Sequence, residues 1–228
     1  MIRVAVVRFP GSNCDEDAVR AVERAGATGY FVWHRDRSLD QADVVILPGG
    51  FAYGDYLRAG AIARFSPVMG AVIEHAGAGG VVVGICNGFQ VLCEAGVLPG
   101  ALMRNAGLQF VSRPVDLRVE SADTPCTAAY AKGAIITAPV AHGEGRYVAA
   151  DETLDELEAE GRVVFRYAGA NPNGSARDIA GITNRERNVV GMMPHPERAS
   201  DPLLGDASGA GVFNSLVQCV QPLRGGSA

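Results

Sequence analysis

The sequence predicts an α/β fold, an open and mostly parallel sheet with helices on both faces. Three observations lead there. Strand-like runs alternate with helix-patterned segments over the first hundred residues. The runs at 44–47 and 81–83 are apolar throughout, as strands covered on both faces are. The loops that follow the first and third runs are rich in glycine and proline.

Residues 2–7 read as a buried strand that stops at Pro10, Gly11, Ser12 and Asn13. Asp15, Glu16 and Asp17 suit the first turn of a helix whose inner stripe is Ala18, Val19, Val22 and Ala25, with Gly26 as its stop. Residues 30–33 and 44–47 are the second and third strands. A helix over 67–76, periodic at Val68, Met69, Val72, Ile73 and Ala76, leads through glycines to the strand at 81–83. Phe89, Leu92, Cys93 and Gly96 then fall at helical i, i+3, i+4, i+7 spacing. Beyond them, 108–120 and 134–149 are β-rich, 151–160 is a short acidic helix, and 163–168, 179–183 and 189–193 are further strands. A last helix near 211–220 carries Val212, Phe213, Leu216, Val217 and Val220 as its core stripe. No repeat or long linker divides the chain, so 1–228 is expected to be one domain, with 225–228 a disordered tail.

A net charge of −5 and a pI near 5.4, with no long basic run, argue against a nucleic-acid partner. The absence of a signal-peptide pattern and of an 18-residue apolar run predicts a cytoplasmic chain with no membrane contact. Five scattered cysteines, odd in number and without a C-x-x-C pair, predict reduced thiols and no metal.

The chemistry centres on Gly84, Ile85, Cys86, Asn87 and Gly88, which join a strand directly to a helix. Such a bend exposes its central side chain on a strained corner, as in a nucleophile elbow. It also sets the Cys86 sulfur at a helix N-terminus, where the dipole favours thiolate. By itself the pattern is equally compatible with a closely packed turn. A cysteine nucleophile needs a base, and the base needs an orienting group. His34 and His75 have structural readings; His142 and His195 could each serve. His195 follows a strand, as Cys86 does, and prolines on both sides hold it extended, so Glu197 at i+2 lies on its side. Cys86, His195 and Glu197 are therefore the candidate triad. Gly50 and Phe51, after the third strand, offer backbone N–H groups for one wall of an oxyanion hole, and the Asn87 amide offers the other.

Gly84, Cys86, Gly88 and Gln90, together with Pro194, His195, Pro196 and Glu197, resemble the class I (triad) glutamine amidotransferases. Segments 9–15, 48–51, 53–60, 139–147, 171–175 and 191–198 are similar to the glutaminase subunits of phosphoribosylformylglycinamidine synthases, and they span nearly the whole chain. The resemblance implies a flavodoxin-like three-layer fold and release of ammonia from glutamine through a cysteine thioester. It implies that a separate synthetase subunit, with ATP and Mg, uses the ammonia to make formylglycinamidine ribonucleotide in purine synthesis, and that a small accessory subunit completes the complex. No phosphate loop appears in this chain, so no cofactor is expected in it. Gln90, Arg58, His142 and Glu144 fall in segments that lie around the glutamine site or the subunit contact in that family. The sequence departs from the family at Arg187, where a glycine usually precedes the asparagine. The alternatives are an unrelated cysteine hydrolase or peptidase on a similar sheet, and a catalytically silent scaffold subunit.

Overall fold

Strand β1 (Arg3–Arg8) buries its four central residues, and α1 (Asp15–Arg24) packs beside it through Ala18, Ala21 and Val22. The three acids of its first turn face the positive end of the helix dipole, and Asp15 also pairs with Arg8. The chain continues through β2 (Thr28–Trp33), β3 (Val44–Leu47), α2 (Pro67–Gly77), β4 (Val81–Ile85) and α3 (Asn87–Glu94). It then passes through β5 (Ala101–Met103), β6 (Val111–Val119), β7 (Ile135–His142), β8 (Arg146–Val148), α4 (Asp151–Ala159), β9 (Val163–Ala168), β10 (Ile179–Thr183), β11 (Val189–Met192) and α5 (Ala210–Arg224). This is a computed structural model that describes residues 1–224, so the tail expected at 225–228 lies outside the described residues.

Nine strands form one sheet in the order β2-β1-β3-β4-β11-β10-β9-β6-β7, and β5 pairs with β8 in a separate ribbon. From β2 to β11 every ladder is parallel, the open sheet that the alternating pattern predicts. The β-rich second half adds antiparallel strands to one edge. Every residue of β3 and of β4 is buried, which requires cover on both faces. One hydrophobic cluster runs from Ile2 to Val220 and takes residues from both halves of the sheet. No helix among the described residues is long and apolar enough to cross a membrane.

Strand order positions the site. The chain moves from β1 outward to β2 and then returns to β3 on the other side, so the loops leaving β1 and β3 diverge over a crevice. The elbow after β4 and the His195 loop after β11 open onto the same edge, because β4 and β11 are parallel neighbours.

Helix α3 lies unusually close to the sheet. Gly84 and Gly191 are register partners on β4 and β11; a Cβ at Gly84 would sit 2.6 Å from Leu92, and one at Gly191 would overlap Phe89. A Cβ at Gly88, in the first turn of α3, would collide with the backbone carbonyl of Leu47. These three glycines thus bring the helix N-terminus down against the strand ends. Because the obstacle at Gly88 is backbone inside the sheet and cannot turn aside, Gly88→Ala is expected to destabilise the fold by about 3 kcal/mol. An unfolding free energy from urea titration lowered by less than about 1 kcal/mol would contradict this packing.

The turn before β11, where the family pattern loses its glycine, is made by Arg187 itself at φ 60°. Its guanidinium donates to the Glu160 carbonyl at 2.7 Å and to Asp123 at 2.9 Å, contacts that hold a left-handed residue in place.

Candidate active site

Cys86 sits between β4 and α3 at φ 49°, ψ −105°, a conformation that side-chain-bearing residues rarely adopt. Its N–H donates to the Met192 carbonyl at 2.7 Å, so the strained corner is pinned to the neighbouring strand. The thiol is nearly buried, with Sγ 4.0 Å from the Ala141 carbonyl oxygen. Asn87 is the first residue of α3, whose opening N–H groups have no partner within the helix. Its side chain accepts from Ala52 N–H at 3.1 Å and donates to Gln90 Oε1 at 2.9 Å and to Asp55 Oδ1 at 3.3 Å, which ties the elbow to the loop after β3.

His195 and Glu197 are both buried, and Nδ1 lies 2.6 Å from the Glu197 carboxylate. The i, i+2 reading is right in its contact, though not wholly in its cause. His195 is extended at φ −103°, but Pro196 starts a short 3₁₀ turn that carries Glu197. Nε2 of His195 is buried with no partner in the protein, and the ring interacts electrostatically with Cys86. Burial opposes charge on this imidazole, yet the Glu197 carboxylate and the Cys86 sulfur outweigh it and raise its pKa well above the ordinary value. Gly49 makes room for the ring, since a Cβ there would stand 2.5 Å from its Cε1.

The oxyanion loop needs one correction. The Phe51 N–H donates to the Gly11 carbonyl at 2.9 Å, so it is engaged and does not face a substrate. It belongs to a bridge between Ser12 and Gly50 whose bonds are made by the flanking residues, which leaves the Gly50 amide outside the ladder. Gly50, at φ 155°, and the first turn of α3 at Asn87 therefore remain as the candidate donors.

Two contiguous lobes open at Cys86. One, about 110 Å³, is lined by Cys14, His195 and Arg198; the other, about 180 Å³, by Asp55, Gln90, His142 and Glu144. Both share Gly50, Phe51, Cys86, Phe110 and Ala141. Gln90 is held by its bond to Asn87 and by donating to the Glu144 carbonyl at 2.5 Å. His142 is locked between Asn105 at 3.1 Å and Asn173 at 3.4 Å, and burial, aided by the charge of His195, lowers its pKa to about 4. It is a neutral, fixed wall of the cavity. Arg58 does not reach either lobe; it forms a two-point ion pair with Glu94 at 2.6 and 2.7 Å and is largely exposed.

Two residues escaped the sequence reading. Cys14 offers its sulfur within 4.8 Å of donor atoms of His195 and Glu197, which spend Nδ1 and one carboxylate oxygen on each other. Asp55 lies in the second lobe, and burial, then the charge of Glu144, raises its pKa to about 6. Both sit in loops at the C-terminal ends of strands β1 and β3, and that position was the available signal. His34, read as structural, holds the Asp55 loop from behind through its 2.6 Å bond to Tyr53.

Residues 1–208 match the family of CobB/CobQ-like glutamine amidotransferase domains. The chain is 63% identical over 216 residues to phosphoribosylformylglycinamidine synthase subunit PurQ of Rubrobacter xylanophilus, covering 95% of this chain and 98% of that one. It is 57% identical over 223 residues to the PurQ subunit of Thermus thermophilus, covering 95% and 98% respectively. A chain in the structure of PurLQS from Thermotoga maritima superposes with a TM-score of 0.89 at 45% identity, covering 96% of this chain and 99% of that one. A strained cysteine elbow, a buried His–Glu pair and this likeness over nearly the whole length make the chain a member of the CobB/CobQ-like glutamine amidotransferases, in the group of PurQ subunits.

Proposed function

We propose that this chain is the glutaminase subunit of a phosphoribosylformylglycinamidine synthase, acting as one glutamine amidotransferase domain in the cytoplasm. It releases ammonia from glutamine and passes it to a synthetase subunit, which uses ATP and Mg to convert formylglycinamide ribonucleotide to its amidine in purine synthesis. A small accessory subunit completes the assembly. The observation that carries the reading is His195, held through Nδ1 by Glu197 while the buried Nε2 has no protein partner next to Cys86.

In this mechanism the Cys86 sulfur attacks the side-chain amide carbon of glutamine. The Gly50 and Asn87 amides stabilise the oxygen as it gains charge. His195, kept readily protonated by Glu197, donates from Nε2 to the departing nitrogen, and ammonia leaves a glutamyl thioester on Cys86. Water activated by the same nitrogen then frees glutamate. Peptidase chemistry is disfavoured by the small size of the second lobe, about 180 Å³, which suits a single amino acid rather than a chain.

Because the Phe51 amide is engaged, the loop after β3 offers fewer donors than it would after a small rotation. Docking of the synthetase beside this loop supplies that alignment, where Phe51, Tyr56, Leu57 and Phe110 are exposed. Ammonia release is expected to rise about 10²-fold when the synthetase, the ribonucleotide and ATP are present, the size of one oxyanion donor. Equal rates with and without them would refute the coupling, and no glutamine hydrolysis under either condition would refute the glutaminase assignment.

A further inference from the structure

A separate cleft of about 490 Å³ opens behind the loop that follows β3 and shares no lining residue with the two lobes at Cys86. Its basic side is the turn after β2. Arg35 and Arg37 both line it, are exposed, and form no ion pair among the described residues, whereas Arg24, Arg58 and Arg166 are each held by a carboxylate. Asp36, between the two in sequence, turns back to accept from the Trp33 N–H at 2.9 Å. Two guanidiniums without carboxylate partners beside one concavity suit an oxyanion that can take paired N–H donors, phosphate above all.

The other side of the cleft is aromatic. Phe65 is 72% exposed, and the Arg64 guanidinium lies over its ring at 4.3 Å, fixed there by donating to the Glu94 carbonyl at 2.7 Å. The ring is thus held in place while most of it stays open for a planar group to stack on. The wall between the two sides is rigid as well. The Tyr53 hydroxyl is 2.6 Å from His34 Nδ1 and 2.9 Å from Ser66 Oγ. Burial, then the charge of Arg35, lowers the His34 pKa, so this wall is a neutral hydrogen-bonding surface rather than a third cation. Tyr53 also belongs to the same short turn as Asp55, which accepts from Asn87 at 3.3 Å. The cleft therefore backs onto the loop of the glutamine site without opening into it.

We propose that this cleft binds a ligand of the mononucleotide class, with its phosphate on Arg35 and Arg37 and its base against Phe65. Phosphate alone or a nucleoside alone uses one side of the cleft; a nucleotide uses both, and the volume is that of a small-ligand site. The site is independent of the chemistry at Cys86.

The test titrates the isolated full-length chain with adenosine monophosphate, by calorimetry and by the fluorescence of Trp33, the single tryptophan, whose ring packs edge-on against His34 at 4.5 Å. Saturable binding with a Kd below about 1 mM is expected. Inorganic phosphate and adenosine should each bind about tenfold more weakly or worse. Arg35→Gln combined with Arg37→Gln is expected to weaken the nucleotide about tenfold or more. Phe65→Ala should weaken it about fivefold or more and leave inorganic phosphate unchanged. No saturable binding, or an affinity unchanged in the double arginine variant, would overturn the proposal. Equal affinity for phosphate and nucleotide would make the cleft a plain anion site and overturn the ligand class. A wild type that binds no nucleotide, with synthetase docking lost in the double arginine variant, would give the cleft to an acidic segment of the partner instead.

Discussion

Cys86→Ala is expected to abolish glutamine hydrolysis, with a fall of about 10⁶-fold, because no other group in the cavity can form the covalent intermediate. Cys14 lines the same cavity, but it stands on the His195–Glu197 side. The fold should survive. Alanine has the same Cβ that the strained φ of 49° must already accommodate, and beyond its interaction with the His195 ring the thiol makes a weak 4.0 Å contact with the Ala141 carbonyl. The expected signature is therefore a normal melting temperature, no covalent labelling by a reactive glutamine analogue, and retained amidine synthesis when free ammonia replaces glutamine. Glutamine-dependent synthesis persisting in the variant would make the chain a scaffold and Cys86 a packed turn residue.

Glu197→Gln should produce the second largest loss, about 10³- to 10⁴-fold in kcat. The substitution keeps shape while removing the charge that, against burial, raises the His195 pKa. Without it only the Cys86 and Cys14 sulfurs oppose burial, the His195 pKa falls, and the glutamine side chain can donate to Nδ1 and impose the wrong tautomer. The sign is testable through stability as well. A histidine whose folded-state pKa lies above its unfolded value contributes stability that is full below the unfolded pKa and fades as pH rises through the folded one. The melting-temperature gap between wild type and Glu197→Gln should accordingly be wider at about pH 6 than at about pH 9. A gap independent of pH would mean that Glu197 supports His195 by shape alone.

The elements that the sequence makes legible are those whose cause is local. The apolar runs of β3 and β4, the acidic first turn of α1 and the glycine-flanked bend at Cys86 encode their own geometry through periodicity, capping and steric freedom. The His195–Glu197 contact is legible for the same reason, since two residues and one proline fix it. The donation of the Phe51 amide to Gly11 was not legible. It depends on the loop after β1 crossing the loop after β3, which strand order alone decides. The Arg58 ion pair was not legible for a related reason: its partner Glu94 lies on a helix that no spacing rule connects to it.

By itself the sequence determined that this chain has a parallel αβ core with a cysteine at a strand-to-helix corner, and that two histidines, His142 and His195, could serve that cysteine. Flanking prolines and Glu197 already favour His195 in the sequence, and tertiary structure supplies the surroundings that separate the two. His142 is enclosed by asparagines from other segments and driven neutral, while His195 is set against Glu197 with its buried far nitrogen left without a hydrogen-bond partner. Both are buried histidines at strand ends, and what separates them is the charge and hydrogen-bonding capacity of their neighbours. Those neighbours arrive from distant parts of the chain only when the sheet closes its order.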